Sequence, residues 1–156
     1  MTEINRNSQF VKARETVFRL LKYRLRSEQE IREKLLRKEM DDNTVDAAVA
    51  HFKDLGLVND RQFARKWILA RLAKPFGANR IRVELKNKGI CKEIIDEELA
   101  QAAGEVSEDD AIRPLIERQV EKNKNVHPLK RKQRIFQYLL RRGFSLPAVN
   151  KAIKPL

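Results

Sequence analysis

The chain repeats itself three times, and nothing else in it constrains the fold as strongly. Ile31, Leu35, Val45 and Val49 recur 50 residues on as Ile81, Leu85, Ile95 and Leu99, and after a further 54 as Ile135, Leu139, Val149 and Ile153. No gap is needed inside the pattern. Lys88 and Gly89 answer to Arg142 and Gly143 in the third copy, and to Lys38 and Glu39 in the first, where the glycine is missing. A period near 50 marks stacked supersecondary units. Each unit is too small to bury much apolar surface alone, so neighbouring copies must lean on one another.

Apolar spacings of three and four dominate and strict alternation is scarce, which predicts an all-α chain. Punctuation gives about nine helices, in three tandem three-helix repeats stacked into an elongated, curved array. The expected division is a tail over 1–11, then repeats over 12–56, 57–104 and 105–156, forming one continuous repeat domain. Helices are expected over 59–72, 78–88 and 92–102 in the second repeat, and over 110–122, 128–142 and 146–154 in the third. Ser27 with Glu30, and Asn59 with Gln62, read as capping boxes. The five glycines, at 56, 77, 89, 104 and 143, fall between apolar stripes, where a left-handed residue can end a helix. A second echo carries Gly56, Val58, Asn59 and Asp60 onto Gly104, Val106, Ser107 and Glu108, 48 residues on. The two spacings differ by six, which predicts an elongated loop at 123–127. Pro114 would interrupt a helix beginning at Ser107, at a cost of about 3 kcal/mol, so a start near Asp110 or a kink is expected.

The 34 Lys and Arg against 22 Asp and Glu leave a net charge of +12, which favours a polyanionic partner. The excess grows along the chain, from +2 over 1–56 through +4 over 57–104 to +6 over 105–156. No signal-peptide core is visible, and the longest uncharged run is eight residues, Gly143 to Asn150. The expectation is a soluble, cytoplasmic, monomeric protein with no membrane partner. The single cysteine, Cys91, excludes an internal disulfide.

Chemistry by a known motif is unsupported. His51 and His127 lie 76 residues apart, and there is no CxxC, HExxH or glycine-rich phosphate loop, so no cofactor, metal or small-molecule substrate is expected. The acidic runs Asp41–Asp42, Asp96–Glu98 and Glu108–Asp110 read as helix capping and solvation, rather than as the converging carboxylates of a magnesium nuclease.

The cations are more informative. Arg32, Lys34, Arg37 and Lys38, then Arg80, Arg82, Lys86 and Lys88, then Lys130, Arg131, Lys132, Arg134, Arg141 and Arg142 lie on the second helix of each repeat, largely off its Ile/Leu stripe. Stacking would align them into a basic track able to displace counterions from phosphates. Arg71 and Lys74 flank or enter the loop KPFGANR at 74–80, which is fitted to meet a partner. Among the aromatic residues, Phe18, Phe63, Trp67, Phe136 and Tyr138 read as core, while Tyr23 and Phe76 are freer for base stacking.

GLVNDRQFARKWILAR at 56–71, with RSEQEIREKL at 26–35 and RIRVELKNKGI at 80–90, closely resembles the RecX family of bacterial regulators of the RecA recombinase. The likeness spans about residues 13–153. Glu39 and Pro114 depart from the family pattern. The resemblance implies a curved stack of three-helix units and a non-enzymatic protein. It also implies binding along the groove of the RecA filament on single-stranded DNA, with weaker duplex binding, and inhibition of ATP hydrolysis, strand exchange and coprotease activity. Such a role would place the chain in the regulation of DNA repair and the SOS response. On that footing the candidate partner- and DNA-contacting residues are Arg32, Arg71, Lys74, Arg80, Arg82, Lys86, Lys88, Lys130, Arg131, Lys132, Arg134, Arg141 and Arg142. The rival reading is a helix-turn-helix duplex-binding transcription regulator, because three-helix units with basic helices also describe duplex readers.

Overall fold

The structure, a computed structural model, describes residues 3–103 and 107–156. Within them lie nine helices and no strand: α1 (Glu3–Tyr23), α2 (Glu28–Leu36), α3 (Asp42–Asp54), α4 (Asp60–Leu72), α5 (Ala78–Lys86), α6 (Lys92–Ala103), α7 (Glu108–Lys122), α8 (Pro128–Arg141) and α9 (Leu146–Ile153). They pack as three triplets, each around its own core, and helix-to-helix packing is concentrated within triplets. The twelve positions of the repeated pattern are all at most 9% exposed. They are therefore the cores themselves, each fully buried Ile or Leu contributing on the order of 2 kcal/mol. The solvent-exposed surface is 10291 Å² for 18.3 kDa. A compact monomer of that mass would expose roughly 8,100 Å², so the excess of about a quarter reports a stack rather than a ball.

Local chemistry explains most boundaries. Ser27 Oγ accepts from the Glu30 amide, Asp41 Oδ1 from that of Thr44, Asn59 Oδ1 from that of Gln62, and Ser145 Oγ from that of Ala148, satisfying amides that the first turn leaves open. Gly56, Gly89 and Gly143 end helices at φ 68°, 78° and 85°. Glu39 adopts φ 59° at the position where Gly89 and Gly143 stand in the other copies, at a cost of about 1 kcal/mol. Gly77 departs from expectation: it is the N-cap of α5 at φ −81°. Gly104 and Val106, part of the second echo, lie outside the described residues, as do Met1 and Thr2.

Two further expectations are corrected. Residues 3–11 are not a tail but the opening turns of α1. There Phe10 meets His51 edge-on, with ring centres 5.9 Å apart, and Gln9 reaches the Thr44 hydroxyl of α3; tertiary contact extends a helix whose apolar pattern alone fades. α7 starts at Glu108 and carries Pro114 inside it. Its first turn is anchored from outside, because the Glu108 carboxylate accepts from both the backbone amide and the hydroxyl of Ser145, while Ile112 and Leu115 on either side of the proline are buried.

The triplets meet at equivalent stations. The turn after α5 sets Lys88 Nζ 2.6 Å from Glu30 Oε1 and Gly89 against the Gln29 side chain. Asp60 Oδ1 also accepts from the Glu28 amide. One period later, the turn after α8 abuts the start of α5: the Gly77 amide donates to the Arg142 carbonyl at 2.9 Å and that of Asn79 to the Gly143 carbonyl at 3.0 Å.

Candidate nucleic-acid interface

Most of the candidate partner-contacting cations of the first two triplets are already engaged. Arg32 pairs with Glu28 and Asp46, and the Asp46 hydrogen bond holds its guanidinium above the ordinary value. Arg71 and Arg80 share Glu84, at 2.6 and 3.2 Å, and Trp67 Nε1 donates to the same carboxylate. Burial alone would raise the Glu84 carboxyl's pKa, but bonds from Arg80, Trp67 and Arg71 hold it below the usual range. Arg82 lies 3.3 Å from Asp96 and bonds Asn79. Lys88 is taken by Glu30, whose second partner is Arg24. Glu30 therefore does not complete the expected capping box: its carboxylate bridges two triplets. Burial pushes its pKa up, and the Arg24 and Lys88 bonds more than reverse this, to about 2. Of the candidates in the middle repeat, Lys74 and Lys86 stand exposed with no ion pair among the described residues.

Phe76 is not a free stacking platform. It lines a cavity between the second and third triplets with Leu72, Leu99 and Phe144, and the guanidiniums of Arg80, Arg142 and Arg71 lie 4.2, 5.3 and 5.9 Å from its ring centre. Phe18, read as core, is 47% exposed, although its ring meets Phe52 edge-on. Tyr23, at 78% exposed, is free as expected. The run Asp96–Glu98 diverges rather than converging: Asp96 faces Arg82, Glu97 faces Arg61, and Glu98 is buried against Arg61 and Arg65. Glu98 is thus neither a cap nor solvated.

The third triplet differs. From Lys122 to Arg142 the sequence holds no acidic residue. Lys130, Arg131, Lys132 and Arg141 have no carboxylate partner among the described contacts. Arg134 bonds only the Asn123 amide oxygen, and Arg142 only the Pro75 carbonyl, with its guanidinium 5.1 Å from the Tyr138 ring centre. Lys130, Arg134, Gln137 and Arg141 are spaced four, three and four residues apart, so they fall on one helical stripe. That stripe lines a cleft of about 570 Å³ between α7 and α8, whose wall also includes Gln119, Lys122, Asn123, Gln133 and Tyr138. Arg131 and Lys132 are absent from the lining, because successive residues turn by 100° around a helix. Lys122 and the row of amides were missed from sequence; the acid-free run was the signal available for them.

Fold and surface together define a tandem three-helix repeat protein whose last repeat bears a cationic, acid-free cleft. The chain belongs to the RecX family of regulatory proteins. Residues 13–52, 59–99 and 107–153 match that family's first, second and third three-helix domains in turn. It is 31% identical over 147 residues to the regulatory protein RecX of Clostridium beijerinckii, covering 93% of this chain and 68% of that one. With the regulatory protein RecX of Amycolatopsis mediterranei it shares 33% identity, over 91% and 81% of the two chains. The crystal structure of RecX from Lactobacillus salivarius superimposes with a TM-score of 0.86 over 96% and 97% of the chains, at 22% identity, a likeness of fold.

Proposed function

We propose that the chain is a non-enzymatic negative regulator of the RecA recombinase in the bacterial cytoplasm. It binds in the groove of the RecA filament on single-stranded DNA and inhibits ATP hydrolysis, strand exchange and coprotease activity. The observation that carries this reading is membership of the RecX family across all three repeats, with relatives that are named regulatory proteins. The physical form suits the task. A stack of small units can touch several filament subunits at once, each contact weak and the sum strong. A duplex-reading transcription regulator draws less support, since Arg32 of α2 and Arg80 and Arg82 of α5 are committed to internal ion pairs.

The test is a RecA ATPase assay on single-stranded DNA with purified protein. Inhibition at amounts stoichiometric with the filament is expected, and an unchanged rate would overturn the reading.

A further inference from the structure

We infer that the cleft between α7 and α8 is a seat for a segment of single-stranded nucleic acid, held by phosphates on Lys130, Arg134 and Arg141 with bases against Gln133, Gln137 and Tyr138. This deepens the proposed function by naming which repeat grips the strand and with what.

Three observations converge on that occupant. Along α8 the stripe from Lys130 to Arg141 spans about 16 Å at 1.5 Å per residue, and Lys122 faces it from α7 across the same cleft. No acidic side chain lines the space, so the positive field is not neutralised from within, in contrast to the cations that share Glu84 and Glu30. A polyanion entering here releases its counterions without first displacing a protein carboxylate.

Amide groups favour nucleic acid over an acidic peptide. Gln133 and Gln137 are exposed and line the cleft, with no side-chain hydrogen bond among the described residues. An amide offers both donors and an acceptor, which matches base edges, whereas the carboxylates of an acidic peptide only accept, so its backbone N–H groups alone could serve the amide oxygens. Tyr138 adds a ring on which a base can stack.

Shape separates a single strand from a duplex. A helix that reads duplex DNA enters the major groove with its cations on a free convex face. Here the cations share an open cleft of about 570 Å³ with α7, so part of the surface around them is helix rather than solvent.

The test measures anisotropy of a fluorescent oligothymidylate of about 12 nucleotides with the full chain and no RecA. Each phosphate contact on a single strand is worth about fivefold in affinity at ~0.1 M salt. Lys130→Gln with Arg141→Gln should therefore weaken binding about 25-fold and flatten the log–log salt slope by about 1.4. Arg14→Gln with Arg19→Gln, exposed positions on α1 that change net charge equally, should cost no more than about twofold. Tyr138→Leu, which keeps the packing bulk, should cost about fivefold or more. Equal losses from the α1 and α8 pairs, an unchanged salt slope, or displacement by polyglutamate as effective as by unlabelled oligothymidylate would each overturn the assignment. Each α8 position is also read singly, at about fivefold, with circular dichroism confirming the fold. Because RecA is absent, failure here leaves ATPase inhibition standing, and loss of inhibition with this binding intact condemns the other reading.

Discussion

The junction between the first and second triplets and that between the second and third occupy the same stations of the repeat, yet different chemistry closes them. At the first, Glu30 holds Lys88 across the boundary and Arg24 within its own triplet, and a β-carbon on Gly89 would lie 2.0 Å from the Oε1 and 2.6 Å from the Cβ of Gln29. At the second, Gly77 and Asn79 donate directly to the Arg142 and Gly143 carbonyls, and a β-carbon on Gly77 would lie 2.2 Å from the Gly143 oxygen. One boundary closes through ionised side chains and the other through backbone hydrogen bonds, and neither leaves room for an added β-carbon. A repeat thus dictates where modules touch without dictating how.

The comparison breaks most visibly at Gly143. A β-carbon there would come within 2.4 Å of the Arg80 backbone nitrogen, at φ 85°. Gly143→Ala should cost about 4 kcal/mol from overpacking and left-handed strain together. Gly77→Ala, strained only by the clash, should cost about 3 kcal/mol. Gly89→Ala should also cost about 3 kcal/mol, since its φ is 78° and the Gln29 Cβ, fixed to its backbone, would lie 2.6 Å from the added carbon; only the outer atoms of Gln29 can swing aside. Denaturant midpoints of the three variants check these losses, and a variant as stable as the parent would overturn the close approach at that glycine.

Next in size, Glu30→Gln should cost about 2 kcal/mol after allowance for solvent screening, since it leaves Lys88 and Arg24 without their shared carboxylate. The loss should shrink in ~1 M salt, whereas exchange protection of the Gly77 and Asn79 amides should not change with salt. Acid sharpens the same contrast. The Glu30 carboxyl titrates near 4.5 when unfolded and about 2 when folded, so between these values the unfolded chain binds the extra proton. Its stabilisation is complete above pH 4.5 and fades as pH falls towards 2. Stability of the Glu30→Gln variant should therefore fall less steeply than that of the parent across this window. The smallest effect is a gain: Glu39→Gly, at φ 59°, should add about 1 kcal/mol by giving the first triplet the helix end that the other two possess.

The repeat's apolar positions were fully legible because burial recurs at the same stations: Ile31, Ile81 and Ile135 are each wholly enclosed. Caps at Ser27 and Asn59 were legible because their bonds span three residues. Glu30 was misjudged, since a partner 58 residues away at Lys88 competes with the local amide and wins. The α1 extension and the start of α7 were missed for the same reason: contacts from Gln9 and Phe10 to α3, and from Glu108 to Ser145, are invisible to local pattern. Among the cations, sequence counted Lys130, Arg131 and Lys132 as one group, whereas helical rotation sends Lys130 to the cleft and the next two elsewhere.

Period, helical spacing and the excess of positive charge are properties of residue order, so the chain alone determined three helical triplets and the charge on which the proposed polyanionic partner rests. Which cations remain free to meet one was decided in three dimensions. A carboxylate neutralises whatever folding brings within a few ångströms of it, and only the packed triplets bring Glu30 to Lys88, leave Glu84 between two arginines, and place no acidic residue in the lining of the cleft of α7 and α8.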